Sequence, residues 1–144
     1  MYQVEISNSE KTIESIIELR YTILRKPWDK PKETVTDDLE ANSINAFIQF
    51  NNNVIACGRL QNNGNGIGQI RYMAIDSAFQ GQGLGKLIIK KLEEEAKKIG
   101  LTLIELQARE NAVEFYKACG YTVKEKSFFL WDIIQHYLMT KSIN

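Results

Sequence analysis

Three glycines within five residues, Gly81, Gly83 and Gly85, stand between a predicted strand and a predicted helix. The strand covers residues 67–75, and the helix follows from apolar side chains at helical spacing, at Leu84, Leu87, Ile88, Leu92, Ala96 and Ile99. Glycine lets the backbone turn tightly and direct successive N–H groups into one concavity. The first turn of the helix adds unpaired N–H groups and a partial positive charge. The segment therefore predicts an anion-binding turn.

Two common phosphate-binding motifs do not fit this turn. A P-loop requires Ser or Thr after its lysine, whereas Leu87 follows Lys86 here. A dinucleotide-binding fingerprint has the spacing GxGxxG and opens a βαβ unit, whereas these glycines are spaced GxGxG after a predicted meander. A turn that binds nothing is the structural alternative. Lys86, Lys90 and Lys91 favour an anion, because lysine near a helix N-terminus opposes the helix dipole.

The chain before the turn predicts one helix and an antiparallel meander. Residues 2–6 are typical of an edge strand, and Asn8 or Ser9 can cap a helix that continues to Arg25. Prolines then interrupt regular structure, so residues 26–40 are expected to form a loop or short helix. Strands are predicted at 45–50, 54–60 and 67–75, with turns at 51–53 and 61–66.

The chain after the turn completes the sheet. Residues 101–106 predict a buried strand, which a helical crossover would place parallel to residues 67–75. A short helix at 111–119 and strands at 121–126 and 136–140 follow. The pattern predicts an α/β fold with a single mixed, mostly antiparallel sheet of about six or seven strands flanked by helices. One domain over residues 1–144 suits this length.

Composition excludes several classes of function. Eighteen basic residues balance eighteen acidic ones, so the net charge indicates no nucleic-acid or membrane partner. The chain shows no signal-peptide pattern and no apolar stretch near the ~18 residues of a membrane span, so we expect a cytoplasmic protein. Cys57 and Cys119 are expected to be small buried side chains. With His136 as the single histidine, we expect no metal site.

Two segments resemble signatures of the GNAT N-acetyltransferase superfamily. The run Gln80-Gly81-Gln82-Gly83-Leu84-Gly85 matches the Q/R-x-x-G-x-G/A loop, and residues 71–75 resemble the strand that leads into it. Residues 108–121, with Asn111, Tyr116 and a Gly-Tyr turn, resemble the second signature. The signatures occur in the family's order, and the likeness covers nearly the whole chain. It implies the GNAT-like acyl-CoA N-acyltransferase fold and acetyl-CoA as co-substrate, with no metal.

The resemblance also implies a cofactor site. In this family two strands separate, and the pantetheine arm lies between them. The backbone of Met73, Ala74 and Ile75 would bind the pantetheine amides. The loop amides of Gln80, Gly81, Gln82, Gly83, Leu84 and Gly85, together with Lys86, would hold the phosphates. Asn111 would contact the pantetheine arm, and Phe115 would pack on it.

The implied reaction is direct attack of an amine on the thioester in a ternary complex. The Met73 N–H would polarise the thioester carbonyl and stabilise the oxyanion. Tyr116 matches the general acid that protonates the leaving thiolate, although it could be only a core aromatic residue. An alkyl ammonium has a pKa near about 10.4, so the reaction also needs a proton acceptor. Glu105, His136 and water are the candidates.

The sequence does not identify the acceptor. A small molecule or a peptide amine fits the resemblance, and its binding loops are predicted at residues 26–40 and 127–135. Trp28 and Trp131 in these loops could line a substrate pocket or fill the core, whereas Asp37 and Asp38 are expected to be solvated. The alternatives are an inactive acyl-CoA-binding regulatory module on this fold, or transfer to a non-amine acceptor. Since many family members are dimers, a homodimer is a further expectation.

Overall fold

The computed structural model describes residues 2–144, so Met1 of the predicted domain lies outside the described residues. Three helices, α1 (Glu10–Leu24), α2 (Leu84–Lys98) and α3 (Val113–Ala118), flank one sheet. Its strands are β1 (Glu5–Ile6), β2 (Ile44–Phe50), β3 (Asn53–Gly64), β4 (Ile67–Ile75), β5 (Leu103–Arg109), β6 (Thr122–Leu130) and β7 (Ile134–Ser142).

The sheet is mixed and mostly antiparallel, as predicted. Its strand order is β1-β2-β3-β4-β5-β7-β6. Among the described strands, the neighbours β4 and β5 are parallel and the other neighbouring pairs are antiparallel. Helix α2 makes the crossover between the two parallel strands, which confirms the predicted connection.

Local sequence signals set the ends of the long helices. The Ser9 hydroxyl accepts a hydrogen bond from the backbone N–H of Thr12 at 3.3 Å and caps α1. Gly100 follows α2 at φ +82°, a conformation that a side chain disfavours. Both predicted helix boundaries are therefore confirmed. No helix within residues 2–144 is long and apolar enough to cross a membrane.

Two predicted loops are largely strand. β3 continues to Gly64, so only Asn65 and Gly66 turn into β4. Gln61 pairs with Gln69 across the ladder, and their side chains are hydrogen-bonded at 3.3 Å. The predicted loop 127–135 is likewise a hairpin of β6 and β7. Polar residues misled the prediction at 61–66, because such residues can also occupy strands. Residues 127–135 are mostly apolar, and a loop was expected there only from the family resemblance.

The two faces of the sheet pack against different helices. Alternate residues of β2 show this, since Ala46 and Ile48 join a core cluster with α2 whereas Phe47 joins one with α1. The same alternation separates Ala56 from Cys57 on β3. Side chains on the α2 face form the larger core. An opening through the sheet would therefore connect the α1 side with the α2 side.

Candidate functional site

Strands β4 and β5 separate halfway along their length. Their pairing runs from Ile67 opposite Leu103 to Ile70 opposite Leu106 and ends there. β4 nevertheless continues to Ile75, and β5 continues to Arg109. Beyond Ile70 the facing edges of β4 and β5 are therefore not paired with each other. The gap between them can accept another extended chain.

A β-bulge lies where the strands separate. Arg71 is opposite Arg59 and Ala74 is opposite Cys57, so Tyr72 and Met73 together face Gly58 of β3. Tyr72 has φ +56°, which is uncommon for a residue with a side chain. The extra residue shifts the alternation of side chains by one. Arg71 pairs with Asp37 and Tyr72 contacts Arg20 of α1, whereas Met73 packs against the core beneath α2.

A cavity of about 330 Å³ occupies the gap and receives residues from both sides of the sheet. Leu24 and Arg25 border it from the end of α1, and Tyr116 borders it from α3. Its polar and aromatic lining consists of Arg25, Gln69, Arg71, Tyr72, Gln107, Arg109, Tyr116, Phe128 and His136. Its aliphatic lining consists of Leu24, Ile70, Met73, Leu106, Ala112 and Leu130. None of these residues carries a carboxylate.

Tyr116 is a buried residue of the core that also reaches the cavity. Its ring packs edge-on against Phe115 and Tyr121, with centroids 5.0 and 6.1 Å away. Burial raises the pKa of its phenol, and Arg109 only partly opposes this. Its hydroxyl has no hydrogen-bond partner among residues 2–144, so it is free to donate into the cavity. The two sequence interpretations, core aromatic residue and proton donor, are thus compatible.

The glycine turn is an open cradle at the start of α2. Gly81 and Gly83 have φ +82° and +79°, and a Cβ at either position would have no heavy atom within 4 Å. Glycine is favoured here by the backbone conformation and not by crowding within the chain. Gly83 is the N-cap of α2 and provides no side-chain cap, so the first-turn N–H groups stay available. The loop therefore fits an anionic ligand.

Phe115 connects the glycine turn with the cavity region. A Cβ at Gly85 would lie 2.9 Å from Phe115 Cζ, so a side chain at this position would force the Phe115 ring to move. Phe115 is nevertheless 38% exposed, which leaves part of its ring accessible. Asn111 lies on the exposed turn before α3, next to the cavity residue Ala112. Phe115 thus packs against the glycine turn, and Asn111 is the chain neighbour of a residue that lines the cavity.

The two candidate bases lie in different places. His136 lines the cavity, stacked on Phe128 at 4.2 Å between ring centroids. Its Nδ1 lies 3.1 Å from the carbonyl oxygen of Ile134, which only accepts, so Nδ1 donates and Nε2 carries the lone pair of the neutral ring. Burial is the main cause that lowers the pKa of His136, and the positive charges of Arg109 and Arg25 lower it further. Glu105 lies outside the cavity lining and accepts a hydrogen bond from Asn63 at 3.1 Å.

An arginine cluster beside the cavity had no predicted role. The guanidinium carbons of Arg20, Arg59 and Arg71 lie 4.7, 4.9 and 4.7 Å from the centre of the Tyr72 ring. Arg20 and Arg59 are fully buried. These cation–π contacts hold Tyr72 in its unusual conformation. The sequence signal was present, because Arg59 interrupts the apolar run 54–60 and Arg20 falls at helical spacing from Ile16 and Ile23.

The prediction that Asp37 is solvated is wrong. Its carboxylate accepts from Arg59 at 2.8 and 3.0 Å and from Arg71 at 3.0 Å. The hydrogen bond from Arg59 is the main reason that the pKa of Asp37 is lowered. A polar loop that folds over buried arginines supplies their counterions, and the sequence does not show that placement. Asp37 is therefore engaged by the protein itself.

Trp28 and Trp131 neither line the cavity nor lie in the core. Their rings are 6.4 Å apart, so the two predicted acceptor loops meet at this pair. Arg109 lies 4.8 Å from the Trp28 ring, and Arg25 lies 5.2 Å from the Trp131 ring. The tryptophans thus support two arginines of the cavity wall.

Solved structures share this fold. An acyl-CoA N-acyltransferase from Pseudomonas aeruginosa has a TM-score of 0.84 at 21% identity, with 98% of this chain and 99% of that chain covered. A Bacillus subtilis acetyltransferase in complex with CoA has a TM-score of 0.81 at 15% identity, with both chains fully covered. The protein therefore has the acyl-CoA N-acyltransferase fold.

Sequence comparison identifies the family. The uncharacterized N-acetyltransferase YjcF of Bacillus subtilis (strain 168) is 28% identical over 136 residues, which are 94% of this chain and 96% of that protein. Residues 13–121 match the Acetyltransferase (GNAT) family. Since this match spans more than half of the chain, the chain belongs to the GNAT acetyltransferase family, a family of acyl-transferring enzymes.

Proposed function

We propose that the protein transfers the acetyl group of acetyl-CoA directly to an amine bound in the cavity. The observation that carries the proposal is the cavity through the sheet, which begins where β4 and β5 separate and presents the free hydroxyl of Tyr116. The open glycine cradle at the start of α2 supports a phosphate-bearing substrate. CoA in the similarly folded Bacillus subtilis acetyltransferase supports the same substrate class.

The residues divide the binding of acetyl-CoA among them. The N–H groups of the glycine turn and Lys86 hold the phosphates, while the backbone of Met73, Ala74 and Ile75 binds the pantetheine arm. Phe115 packs on this arm, and Asn111 contacts it from the neighbouring turn. Acetyl-CoA supplies an activated thioester when bound.

The cavity residues then handle charge and protons during the transfer. Met73 N–H donates to the carbonyl oxygen, which becomes negative as the amine nitrogen bonds to the acetyl carbon. Tyr116 donates its proton to the sulfur as the carbon–sulfur bond breaks. His136 is best placed to accept a proton from the attacking nitrogen, because its neutral ring lies in the cavity. Because burial raises the pKa of the Tyr116 phenol, this group is protonated at neutral pH when the reaction begins.

Calorimetric titration with acetyl-CoA, followed by an amine panel, tests this function. We expect micromolar binding of acetyl-CoA, much weaker binding of free adenine nucleotides, and amine-dependent release of CoA. Tyr116→Phe should lower kcat about 100-fold while changing the Kd for acetyl-CoA less than threefold, because the hydroxyl acts on the leaving thiolate.

Three outcomes would contradict the proposal in different ways. Absence of acetyl-CoA binding would remove the cofactor assignment altogether. Binding without turnover of any amine would favour a regulatory acyl-CoA-binding module, and turnover only with hydroxyl compounds would change the acceptor class. Normal kcat in Tyr116→Phe would mean that water or another residue protonates the sulfur.

A further inference from the structure

The acceptor side of the cavity is positively charged. Arg25, Arg71 and Arg109 line it without any lining carboxylate. Arg71 is compensated by Asp37 at 3.0 Å, but neither Arg25 nor Arg109 has an acidic partner within 4.0 Å among residues 2–144. Two uncompensated guanidiniums beside a partly enclosed site are costly unless a ligand neutralises them.

Neutral groups hold these two arginines in place. Arg25 Nε donates to the Thr34 hydroxyl at 2.7 Å, and its Nη1 and Nη2 donate to the carbonyls of Leu24 and Thr34, each at 3.1 Å. Arg109 Nη2 donates to the carbonyl of Leu24 at 3.0 Å. The tryptophan pair Trp28 and Trp131 lies beneath their planes. Each guanidinium thus keeps further N–H donors for a ligand.

The guanidinium groups that line the cavity repel one another. Burial lowers the pKa of both guanidiniums; Arg71 further lowers that of Arg25, and Arg25 further lowers that of Arg109. An anion bound between them would relieve this repulsion. A second cation would increase it, which disfavours an acceptor with several ammonium groups.

The phosphates of acetyl-CoA are poorly placed to be that anion. Arg71 precedes Ile75 by four residues, which is about 13 Å along a strand, and the glycine turn begins beyond Ile75. Arg25 also follows the end of α1, on the opposite side of the sheet from the helix that the glycine turn starts. An anion at these arginines would therefore belong to the acceptor.

We propose that the acceptor is an amine that also carries an anionic oxygen group, a carboxylate or a phosphate, and that Arg25 and Arg109 bind this group. The inference rests on the proposed acetyl transfer. The guanidiniums orient the acceptor by its anionic end, so that its amino group reaches the space between Tyr116 and His136.

Matched acceptors and products test the proposal. L-leucine and L-phenylalanine are compared with their amides and decarboxylated amines, and O-phosphoethanolamine with ethanolamine, at pH values adjusted for each amine pKa. We expect kcat/KM to be at least tenfold higher for the anionic acceptor of each pair than for its counterpart without the anionic group. Comparing the amino acids with O-phosphoethanolamine then distinguishes a carboxylate site from a phosphate site. N-acetyl-leucine and N-acetyl-phenylalanine should bind the CoA-loaded protein at least tenfold more tightly than their amides in calorimetric titrations.

Variants assign the effect to the two arginines. Arg25→Gln and Arg109→Gln should each reduce the acid-to-amide preference at least tenfold, whereas Arg25→Lys and Arg109→Lys should keep part of it. Lys30→Gln removes one charge near the Trp131 ring without touching the cavity and should leave the preference unchanged. Far-UV circular dichroism confirms folding, and the lysine variants decide the test if a glutamine variant does not fold.

The outcomes separate this proposal from the proposed function. Equal use and binding of acids and amides, or a preference for diamines, would overturn the anion site even if acetyl transfer occurs. Tight binding of N-acetyl acids without turnover would support the anion site and contradict acetyl transfer. A tenfold loss of acetyl-CoA affinity in the glutamine variants with unchanged acid preference would assign the arginines to CoA and overturn the proposal.

Discussion

At the scale of single residues, Tyr72 decides the local geometry of the site. Its left-handed conformation at φ +56° costs about 1–2 kcal/mol for a residue with a Cβ. Three guanidiniums within 5 Å of its ring hold it there. In the resulting bulge, Met73 has no regular partner on β3 and lies at the edge of the cavity. A conformational cost at one residue thus shapes the gap.

The identity of the proton acceptor can also be tested at single residues. We expect His136→Gln to lower kcat/KM about 100-fold and Glu105→Gln less than threefold, because only His136 lines the cavity. The rate in the wild type should increase with pH through a pKa below the ordinary histidine value of 6.5, since burial and arginines lower the pKa of His136. Initial rates against pH for both variants check this.

A larger loss of kcat/KM in Glu105→Gln than in His136→Gln would assign the base to Glu105, which is one of the candidates from the sequence. Small losses in both variants would leave water as the proton acceptor. Because His136 is 5% exposed, thermal melting of His136→Gln is needed to separate a catalytic loss from a loss of folded protein.

At the scale of elements, the turn between β4 and α2 combines two separate demands on glycine. Gly81 and Gly83 provide the positive φ of the cradle, whereas Gly85 allows Phe115 to approach the helix. The sequence motif therefore encodes backbone shape at two positions and packing at a third. Each demand concerns a different part of the predicted acetyl-CoA path.

Gly83→Ala tests the cradle with an internal control. The Ala variant should lose about 1 kcal/mol of unfolding free energy, because its φ is +79°, and bind acetyl-CoA at least tenfold more weakly, because a Cβ enters the open cradle. Gly64→Ala, at φ +87° in the β3–β4 hairpin and also without close neighbours, should lose similar stability but keep its affinity. Urea denaturation and calorimetry measure the two effects. Equal affinities in both variants would remove the turn from the binding site.

At the scale of the whole molecule, Glu40 joins α1, β2 and β3 through one carboxylate. It accepts from Arg20 at 2.7 Å, from Asn45 at 3.0 Å and from Arg59 at 3.3 Å. Burial alone would raise the pKa of Glu40, but Arg20 and Asn45 lower it from 4.5 to about 2. The ionised form therefore stabilises the fold above pH 4.5, and this contribution is lost as the pH falls through about 2.

Glu40→Gln should lower the unfolding free energy at pH 7 by about 3 kcal/mol, because it leaves buried Arg20 without its carboxylate. The difference from the wild type should narrow as the pH falls from 4.5 to about 2, where Glu40 becomes protonated. Urea denaturation across this pH range measures it. Glu18→Gln, which breaks the exposed pair with Lys32, should change stability by less than about 0.5 kcal/mol. A constant difference at every pH would exclude the linkage.

Much of the fold could be predicted because its signals are local. Apolar spacing, Ser9 and Gly100 predicted α1 and α2, and the parallel placement of β5 followed from the crossover helix. The glycine turn was likewise predicted from adjacent residues. The error at residues 61–66 arose where polar side chains lie on a strand, so composition indicated a loop. The error at residues 127–135 came from the resemblance, because that segment is mostly apolar.

The sequence by itself therefore determined the order and type of the elements and the glycine turn, since these depend on neighbouring residues. Only the tertiary structure decided which side chains meet in the cavity. Glu105 lies opposite Gln69, where β4 and β5 are still paired, and so stays outside the gap. Arg109 reaches the carbonyl of Leu24, 85 positions earlier, to form the cavity wall. The bulge, strand separation and arginine cluster depend on such distant contacts, because packing sets register and placement and local spacing does not.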